Sequence, residues 1–319
     1  MEYTTLGSSG LHVSKLCFGT WRFNQEAADG TVETTREQAH ELLDTFEEAG
    51  GNFIDTANDY GDGESERWIG EWLAERDRED YVVASKVFWA QNSRFSENLS
   101  RKNIRAEIEG TLDRLDTDYI DVYYLHRFDD DTPVRETLRT LDQLVKEGKI
   151  HYIGASAMAA WKLTKGLWTA DVEGLEEFVV TQPRFNAADH PRDYLDVCAD
   201  QDLAVCSYSP LQAGILTGKY SGSENPDGSR ADLNGWEMEL SDRQVRVVSA
   251  IESVAEETES SMAQVALRWL IDQREFTCVP IFGARTVEQM EENLGAVEVS
   301  LSDEQFDRIT DAYGEPDDE

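Results

Sequence analysis

The chain has 319 residues, and 40% of them are apolar, which is enough for one large domain or two ordinary domains with a buried core. Lys and Arg total 29 against 65 Asp and Glu, a formal net charge of −36. This charge argues against a nucleic-acid partner, because phosphates require a basic face. The sequence has no apolar run of roughly 18 residues and no apolar, positively flanked N-terminus, so we expect neither a membrane span nor a signal peptide.

The acidic residues are dispersed along the chain, and only eight of the basic residues are lysines. High ionic strength screens the self-repulsion of such a surface, so the composition is typical of halophilic proteins. Aromatic residues make up 10% of the chain, which argues against a disordered acidic polypeptide. Four dispersed cysteines beside apolar runs predict buried free thiols and a reduced, cytoplasmic compartment: Cys17, Cys198, Cys206 and Cys278. The five histidines show no metal-ligand spacing, and no metal site is predicted.

Residues 3–16 carry Gly7 and Gly10 between short alternating segments and predict a small β-hairpin. Eight strand-like segments follow, at 16–20, 52–55, 81–87, 119–126, 150–156, 177–182, 203–208 and 276–281. Apolar spacing predicts helices at 36–49, 64–73, 100–115, 134–146, 160–168, 194–200, 242–258, 262–273, 287–294 and 302–312. Segment 212–235, rich in Gly, Ser, Asn and Pro, predicts an ordered loop or lid, and the acidic residues 315–319 predict a disordered tail.

Most predicted strands are followed by a helix, and the middle strands are apolar throughout, as in parallel sheets covered on both faces. No repeat and no linker divides the chain. This pattern predicts an α/β fold: a single-domain (β/α)8 TIM barrel over residues 1–314, with an N-terminal β-hairpin and extra C-terminal helices. An open, doubly wound sheet is the alternative, but no Gly-x-Gly-x-x-Gly motif follows the first strand.

In a barrel, the carboxyl ends of all strands meet at one rim. Polar or ionisable residues stand at six of these ends: Asp55, Lys86, His126, Ser156, Gln182 and Tyr208. Tyr60 lies on the loop after Asp55. Taken singly, each has a structural interpretation, since a carboxylate can cap a turn, a buried lysine can form an ion pair and a tyrosine can pack. Taken together, an acid, a phenol, an ammonium group and an imidazole predict an active site.

The chemistry of this set follows from its groups. A phenol with a pKa of about 10 is a poor proton donor at neutral pH, and a neighbouring cation lowers that pKa. Asp55 would hold Lys86 charged and in place, and His126 would orient a substrate oxygen. A tuned proton donor beside an oriented carbonyl suits reduction with hydride from a cofactor. It suits hydrolysis poorly, since no second carboxylate is placed against a nucleophile.

The motifs at these strand ends resemble those of the aldo-keto reductases over roughly residues 6–293. They are Phe53-Ile-Asp-Thr-Ala57, Tyr60-Gly61, Gly63-Glu-Ser-Glu66, Ser85-Lys86, Tyr124-Leu-His126, Ile153-Gly-Ala-Ser156, Thr181-Gln182, Tyr208-Ser-Pro-Leu211, Gly214-Ile-Leu216, Lys219, Gly283-Ala-Arg285, Gln289 and Glu292-Asn293. The chain looks most similar to the branch that contains potassium-channel β-subunits and bacterial general reductases.

The resemblance implies that Tyr60 is the general acid, Lys86 the group that tunes its pKa, Asp55 the partner of Lys86 and His126 the residue that orients the carbonyl. It implies NADPH as the cofactor, with NADH possible. The residues implied to hold the cofactor are Thr20, Ser156, Gln182, Tyr208, Ser209, Leu211, Gly214, Leu216, Lys219, Arg230, Gly283, Arg285, Gln289, Glu292 and Asn293. The resemblance also implies a small-molecule aldehyde or ketone as the substrate. Trp21 and Trp89, in loops at the rim, favour apolar or aromatic ones.

The chain departs from the family pattern at three places. Ala157 stands where an asparagine commonly contacts the nicotinamide carboxamide, Phe185 replaces a frequent tyrosine, and the adenosine end has few basic residues.

The favoured function is NAD(P)H-dependent reduction of aldehydes and ketones to alcohols. The alternative is a cofactor-binding, redox-sensing regulatory subunit similar to channel β-subunits. A phosphate-binding barrel lyase or hydrolase is a weaker third interpretation. The sequence predicts no oligomeric state.

Overall fold

The structure, a computed structural model, describes residues 1–91, 97–220, 225–227 and 229–314. The predicted tail, 315–319, lies outside this range. Two antiparallel strands, β1 (Tyr3–Thr5) and β2 (His12–Ser14), form the predicted N-terminal hairpin. Leu6 and Val13 of the hairpin region are fully buried and pack with side chains of the strands described next. The hairpin therefore covers the end of the barrel opposite to the predicted site.

Eight parallel strands follow the hairpin, each hydrogen-bonded to its neighbours in chain order, with the last one beside the first. They are β3 (Cys17–Gly19), β4 (Phe53–Asp55), β5 (Val82–Val87), β6 (Ile120–Leu125), β7 (Ile150–Ser156), β8 (Phe178–Gln182), β9 (Ala204–Val205) and β10 (Ile281–Phe282). The Val205 amide donates to Thr277 O at 2.8 Å, and the Ile281 amide donates to Ser207 O at 2.9 Å. These bonds join β9 to the last strand region, and the predicted (β/α)8 barrel is confirmed.

Eleven α-helices lie in the described ranges: α1 (Arg36–Glu48), α2 (Glu64–Leu73), α3 (Arg101–Leu115), α4 (Val134–Lys146), α5 (Ala160–Glu173), α6 (Arg192–Asp200), α7 (Arg230–Leu233), α8 (Asp242–Thr258), α9 (Met262–Ile271), α10 (Val287–Leu294) and α11 (Asp303–Ala312). Four of them, α1, α8, α9 and α11, begin with a Ser or Thr capping box closed by a glutamine three residues later. Such boxes satisfy backbone donors that the first turn leaves unpaired.

The structure differs most from the predicted elements at four places. The predicted strand 203–208 is regular only at Ala204–Val205. Helix α5 continues to Glu173 rather than ending at 168, and it stops at Gly174, whose φ of 62° suits a helix C-terminus. The predicted strand 276–281 is regular only at Ile281–Phe282, since Pro280 has no amide proton for the ladder. The predicted loop contains a short 3₁₀ helix at Gln212–Thr217 and helix α7.

All four cysteines are buried free thiols, as predicted. No helix in the described part of the chain is long and apolar enough to cross a membrane.

Candidate active site

A cavity of about 850 Å³ opens among the loops that follow the parallel strands. This is the end of a barrel at which side chains from different strands converge. Its lining includes most of the residues predicted from the sequence: Trp21, Asp55, Tyr60, Trp89, His126, Ser156, Gln182, Tyr208, Ser209, Leu211, Gly214, Lys219, Gly283, Arg285, Gln289, Glu292 and Asn293. Residues far apart in the chain are thus brought to one chamber by the barrel topology.

A buried ion pair lies at the base of the cavity. Lys86, with no exposed surface, donates from Nζ to Asp55 Oδ2 at 2.5 Å and to the backbone carbonyl of Thr56 at 2.8 Å. The same Nζ lies 3.1 Å from the hydroxyl of Tyr60. Asp55 Oδ1 accepts from Gln182 Nε2 at 2.8 Å, so both carboxylate oxygens are engaged. The expected contact of the lysine with both the carboxylate and the phenol is therefore present.

Opposing influences set the proton affinity of Tyr60. The pKa of Tyr60 is raised to about 12 as the net result: burial raises it most, Lys86 lowers it, and the charge of Asp55 raises it. The sequence predicted the direction of the Lys86 effect but not the net result, which is opposite to the expected decrease. Burial disfavours the phenolate more than one ammonium group favours it. Tyr60 consequently keeps its proton at neutral pH, and it is a weaker acid than a free tyrosine rather than the stronger one that the sequence predicted.

His126 follows strand β6, and its ring lies between two aromatic side chains. The ring centroids are 4.7 Å from Trp89 and 5.8 Å from Tyr60, both in edge-to-face geometry. Burial lowers the pKa of His126, and its contact with Asp59 opposes this decrease. The Asp59 carboxylate lies 3.4 Å from Nδ1, but neither Asp59 Oδ1 nor Nδ1 forms a hydrogen bond within the described residues. Asp59 was not identified from the sequence, although it directly precedes Tyr60.

Two polar side chains at the ends of β7 and β8, and one alanine, face the same chamber. The Ser156 hydroxyl donates to the backbone carbonyl of Gln182 at 2.9 Å, which leaves its lone pairs as acceptors. Gln182 donates one amide proton to Asp55 and lines the cavity with the rest of its side chain. Ala157 also lines the cavity, with a left-handed φ of 44°. Ser156 and Gln182 could hold an amide-bearing ring here. Ala157 offers no side-chain amide to help them.

The segment after β9 forms an unusual backbone turn along the cavity. Positive φ values occur at Ser209, Gln212, Ala213 and Gly214, at 55°, 47°, 55° and 94°. Successive residues of this kind can turn backbone amides toward one concave point, which suits an anion, although the amides of Gln212 and Gly214 bond to Ser209 O and Leu211 O within the turn. Three non-glycine residues in this conformation are costly, and such strain is concentrated at functional sites. Tyr208 enters the segment with its amide bonded to Pro183 O at 3.0 Å.

Cationic side chains gather next to this segment. The pKa of Lys219 is lowered, first by burial and then by the charges of Arg285 and Arg22, which places the three cations close together. Arg22 also forms an ion pair with Glu33. The Gln289 side chain accepts from the backbone amide of Arg285 at 3.0 Å, so the start of α10 shapes this end of the cavity. Arg22 was not predicted, although it follows the predicted Trp21.

Two predicted cofactor residues do not line the cavity. Leu216 is fully buried in the hydrophobic core. Thr20 is also fully buried, and its hydroxyl donates to Asp55 O at 3.0 Å, so it supports the loop behind the ion pair. Lys86 does not line the cavity either; it contacts Asp55 and Tyr60 from the interior of the barrel. The side chain of Arg230 lies outside the described residues.

Comparison with known proteins agrees with this geometry. A profile of the Aldo/keto reductase family matches residues 15–313. Norsolorinic acid reductase B of Aspergillus parasiticus is 34% identical over 316 residues, which cover 96% of this chain and 82% of that protein. A probable voltage-gated potassium channel subunit beta of Oryza sativa subsp. japonica is 34% identical over 320 residues, with 97% and 95% covered. A solved thermostable aldo-keto reductase in complex with the inhibitor epalrestat superposes with a TM-score of 0.77 at 29% identity, covering 98% of this chain and 100% of that one.

The match runs through the barrel as a whole and includes the strands that carry Asp55, Lys86 and His126. It confirms the resemblance found in the sequence, and the chain therefore belongs to the aldo/keto reductase family.

Proposed function

We propose that this protein is an NADPH-preferring reductase that converts aldehydes and ketones to alcohols, with Tyr60 as the proton donor. The observation that carries the proposal is the buried Lys86, which contacts both Asp55 and the Tyr60 hydroxyl at the base of a cavity of about 850 Å³. Burial of a charged lysine costs free energy unless the charge is paired. Buried, paired ionisable groups beside a cavity are typical of functional sites.

The residues of the chain divide the chemistry among them. When bound, the nicotinamide cofactor supplies the hydride. His126, which packs against Trp89, orients the carbonyl oxygen, and Tyr60 donates its proton to that oxygen. Lys86 stabilises the resulting phenolate, since its ammonium group lies 3.1 Å from the hydroxyl oxygen. Asp55 keeps Lys86 charged: pairing with the carboxylate raises the lysine pKa against the effect of burial.

The chamber suits a dinucleotide along its length. Ser156 and Gln182 would hold the carboxamide, and Tyr208 would pack against the nicotinamide ring. The strained turn at 209–214 would accept the pyrophosphate, and the adenosine end would lie near Gln289, Glu292 and Asn293. Arg285, whose amide bonds to Gln289, would neutralise the extra phosphate of NADPH there, which favours NADPH over NADH. Lys219, beside Gly214, would neutralise the pyrophosphate that both cofactors carry.

A direct assay tests this function. We expect NADPH oxidation, followed by the absorbance at 340 nm, to depend on an added aromatic or short-chain aldehyde. The protein is assayed in molar KCl, because we infer from the −36 charge that it works in a cytoplasm of high ionic strength. Absence of turnover with every carbonyl compound, in high and low salt, contradicts the proposed reductase.

Relatives that are named as channel subunits favour a second candidate, a cofactor-binding subunit that reports redox state to a partner. This candidate requires tight NADPH binding but not fast turnover. Fluorescence quenching by NADPH, combined with the aldehyde assay, separates the two. Binding without turnover favours the regulatory subunit, and turnover at ordinary enzyme rates favours the reductase.

Cofactor preference is tested at Arg285. We expect Arg285→Ala to raise the Kd of NADPH by about 10- to 100-fold, the usual size for a lost charge-assisted hydrogen bond, and to leave the Kd of NADH nearly unchanged. NADH serves as the matched control, since it lacks only the extra phosphate. An equal loss for both cofactors would assign Arg285 to a shared part of the dinucleotide.

The strained turn is tested at Gly214, whose φ is 94° and whose added Cβ would overlap the end of the Lys219 side chain. We expect Gly214→Ala to lower the free energy of unfolding by about 1–3 kcal/mol and to weaken NADPH binding. Gly148→Ala is the control, because Gly148 has a φ of 74° with open space around it and lies outside the cavity. Equal NADPH affinity in both variants would show that the turn does not bind the cofactor.

A further inference from the structure

The cavity concentrates positive charge in a protein that has little of it. The chain carries 29 basic residues against 65 acidic ones, yet four cationic side chains line this one chamber: Arg22, Arg127, Lys219 and Arg285. Three of them form the group around Lys219, where the cofactor phosphates are proposed to lie. Arg127, whose side chain is exposed, also lines the cavity. None of the cofactor contacts proposed above uses it.

Arg127 lies on the substrate side of the chamber. It directly follows His126, and its guanidinium carbon is 5.1 Å from the centre of the Phe88 ring. The Phe88 ring is 5.2 Å from Trp89, which in turn packs at 4.7 Å on His126. Trp89, His126 and Arg127 line the cavity, and Phe88 packs behind Trp89 and Arg127. A substrate that lies against Trp89 with its carbonyl at His126 can therefore meet Arg127 with another group.

The charge of Arg127 is not neutralised by a neighbouring carboxylate within the described ranges, where it forms no ion pair. The three acidic groups of the cavity lie against other residues: Asp55 holds Lys86 and Gln182, Asp59 faces His126, and the charge of Glu292 acts on Lys219. Contact with an aromatic face leaves the planar donors of a guanidinium free to bind an anion. Those donors match the two oxygens of a carboxylate.

We propose that Arg127 binds a carboxylate of the substrate, so that the favoured substrates are aldehydes or ketones whose aromatic or apolar body separates the carbonyl from a carboxylate. This inference rests on the proposed reductase function. It assigns Arg127 a role in specificity rather than in proton or hydride transfer. It also explains why a cavity in a strongly acidic protein carries an arginine outside the phosphate end, since the positive charge offsets the repulsion that an anionic substrate would meet.

The test compares two aldehydes of the same shape, 4-formylbenzoate and its neutral methyl ester, at one fixed ionic strength. We expect wild type to prefer the acid in kcat/KM. Arg127→Gln should reduce kcat/KM for the acid by about 10- to 100-fold and change the ester by about twofold at most. Arg127→Lys should give an intermediate loss, because it keeps the charge without the planar donors. Arg246→Gln, which removes a positive charge outside the cavity, should change neither substrate.

A binding measurement makes the test independent of turnover. The alcohol product 4-(hydroxymethyl)benzoate and its methyl ester are titrated into protein saturated with NADP+, with tryptophan fluorescence as the signal. Tighter binding of the acid in wild type, lost in Arg127→Gln, supports the assignment even when no aldehyde is reduced, in which case the proposed reductase fails and the anion site stands. Equal affinity for acid and ester in wild type, or equal losses for both in Arg127→Gln, overturns it.

Discussion

Replacing Tyr60 by phenylalanine is expected to reduce kcat for carbonyl reduction by about 10²- to 10⁴-fold, the usual contribution of a positioned proton donor. Phenylalanine keeps the ring, which packs edge-to-face on His126 at 5.8 Å, and removes only the hydroxyl that contacts Lys86. Binding and packing should therefore persist while proton donation is lost. The measurements are the initial rate at 340 nm and the Kd of NADPH by fluorescence.

Tyr194→Phe is the matched control for this prediction. Tyr194 is a buried tyrosine on α6 that does not line the cavity, so the same atom is removed from the same type of residue away from the site. Its variant should keep wild-type turnover. Comparable activity in Tyr60→Phe and wild type would show that another group donates the proton. A large increase in the Kd of NADPH would instead assign Tyr60 to cofactor binding.

The position of the site could be predicted because parallel strands end at one rim. Asp55, Lys86 and His126 each follow an apolar run, and barrel topology alone brings such ends together. The structure adds the contacts, with Lys86 Nζ at 2.5 Å from Asp55 and 3.1 Å from Tyr60. Residues next to a predicted one were overlooked, such as Asp59 before Tyr60 and Arg127 after His126. Loop residues have no fixed periodicity from which the direction of a side chain could be inferred.

Two other features depend on quantities that the sequence does not contain. The pKa of Tyr60 is a balance between burial, which raises it, and Lys86, which lowers it, and only the folded arrangement decides the sign. Leu216 falls in a segment without an apolar period, and its side chain points into the core because Gln212–Thr217 forms a 3₁₀ helix. The resemblance placed Leu216 in the segment that covers the pyrophosphate, and the direction of its side chain within that segment could not be inferred from the motif.

Replacing Lys86 by methionine is expected to lower the free energy of unfolding by about 3–5 kcal/mol, since it leaves the buried charge of Asp55 without its partner. Asp55 is only 2% exposed, and Gln182 alone would then contact its carboxylate side chain. Activity should fall as well, because Lys86 is the group that favours the phenolate of Tyr60. Denaturant unfolding and the 340 nm assay measure the two effects separately.

The variant that carries Lys86→Met and Asp55→Asn together separates stability from catalysis. Removing both charges leaves no unpaired ion in the interior, so most of the lost unfolding free energy should return, with a favourable coupling energy between the two sites. Activity should not return, because no cation remains beside Tyr60. A double variant as unstable as Lys86→Met would mean that packing of the lysine chain, rather than its charge, stabilises the barrel. Recovery of turnover in the double variant would remove Lys86 from the chemistry, since the ion pair would then serve the fold alone.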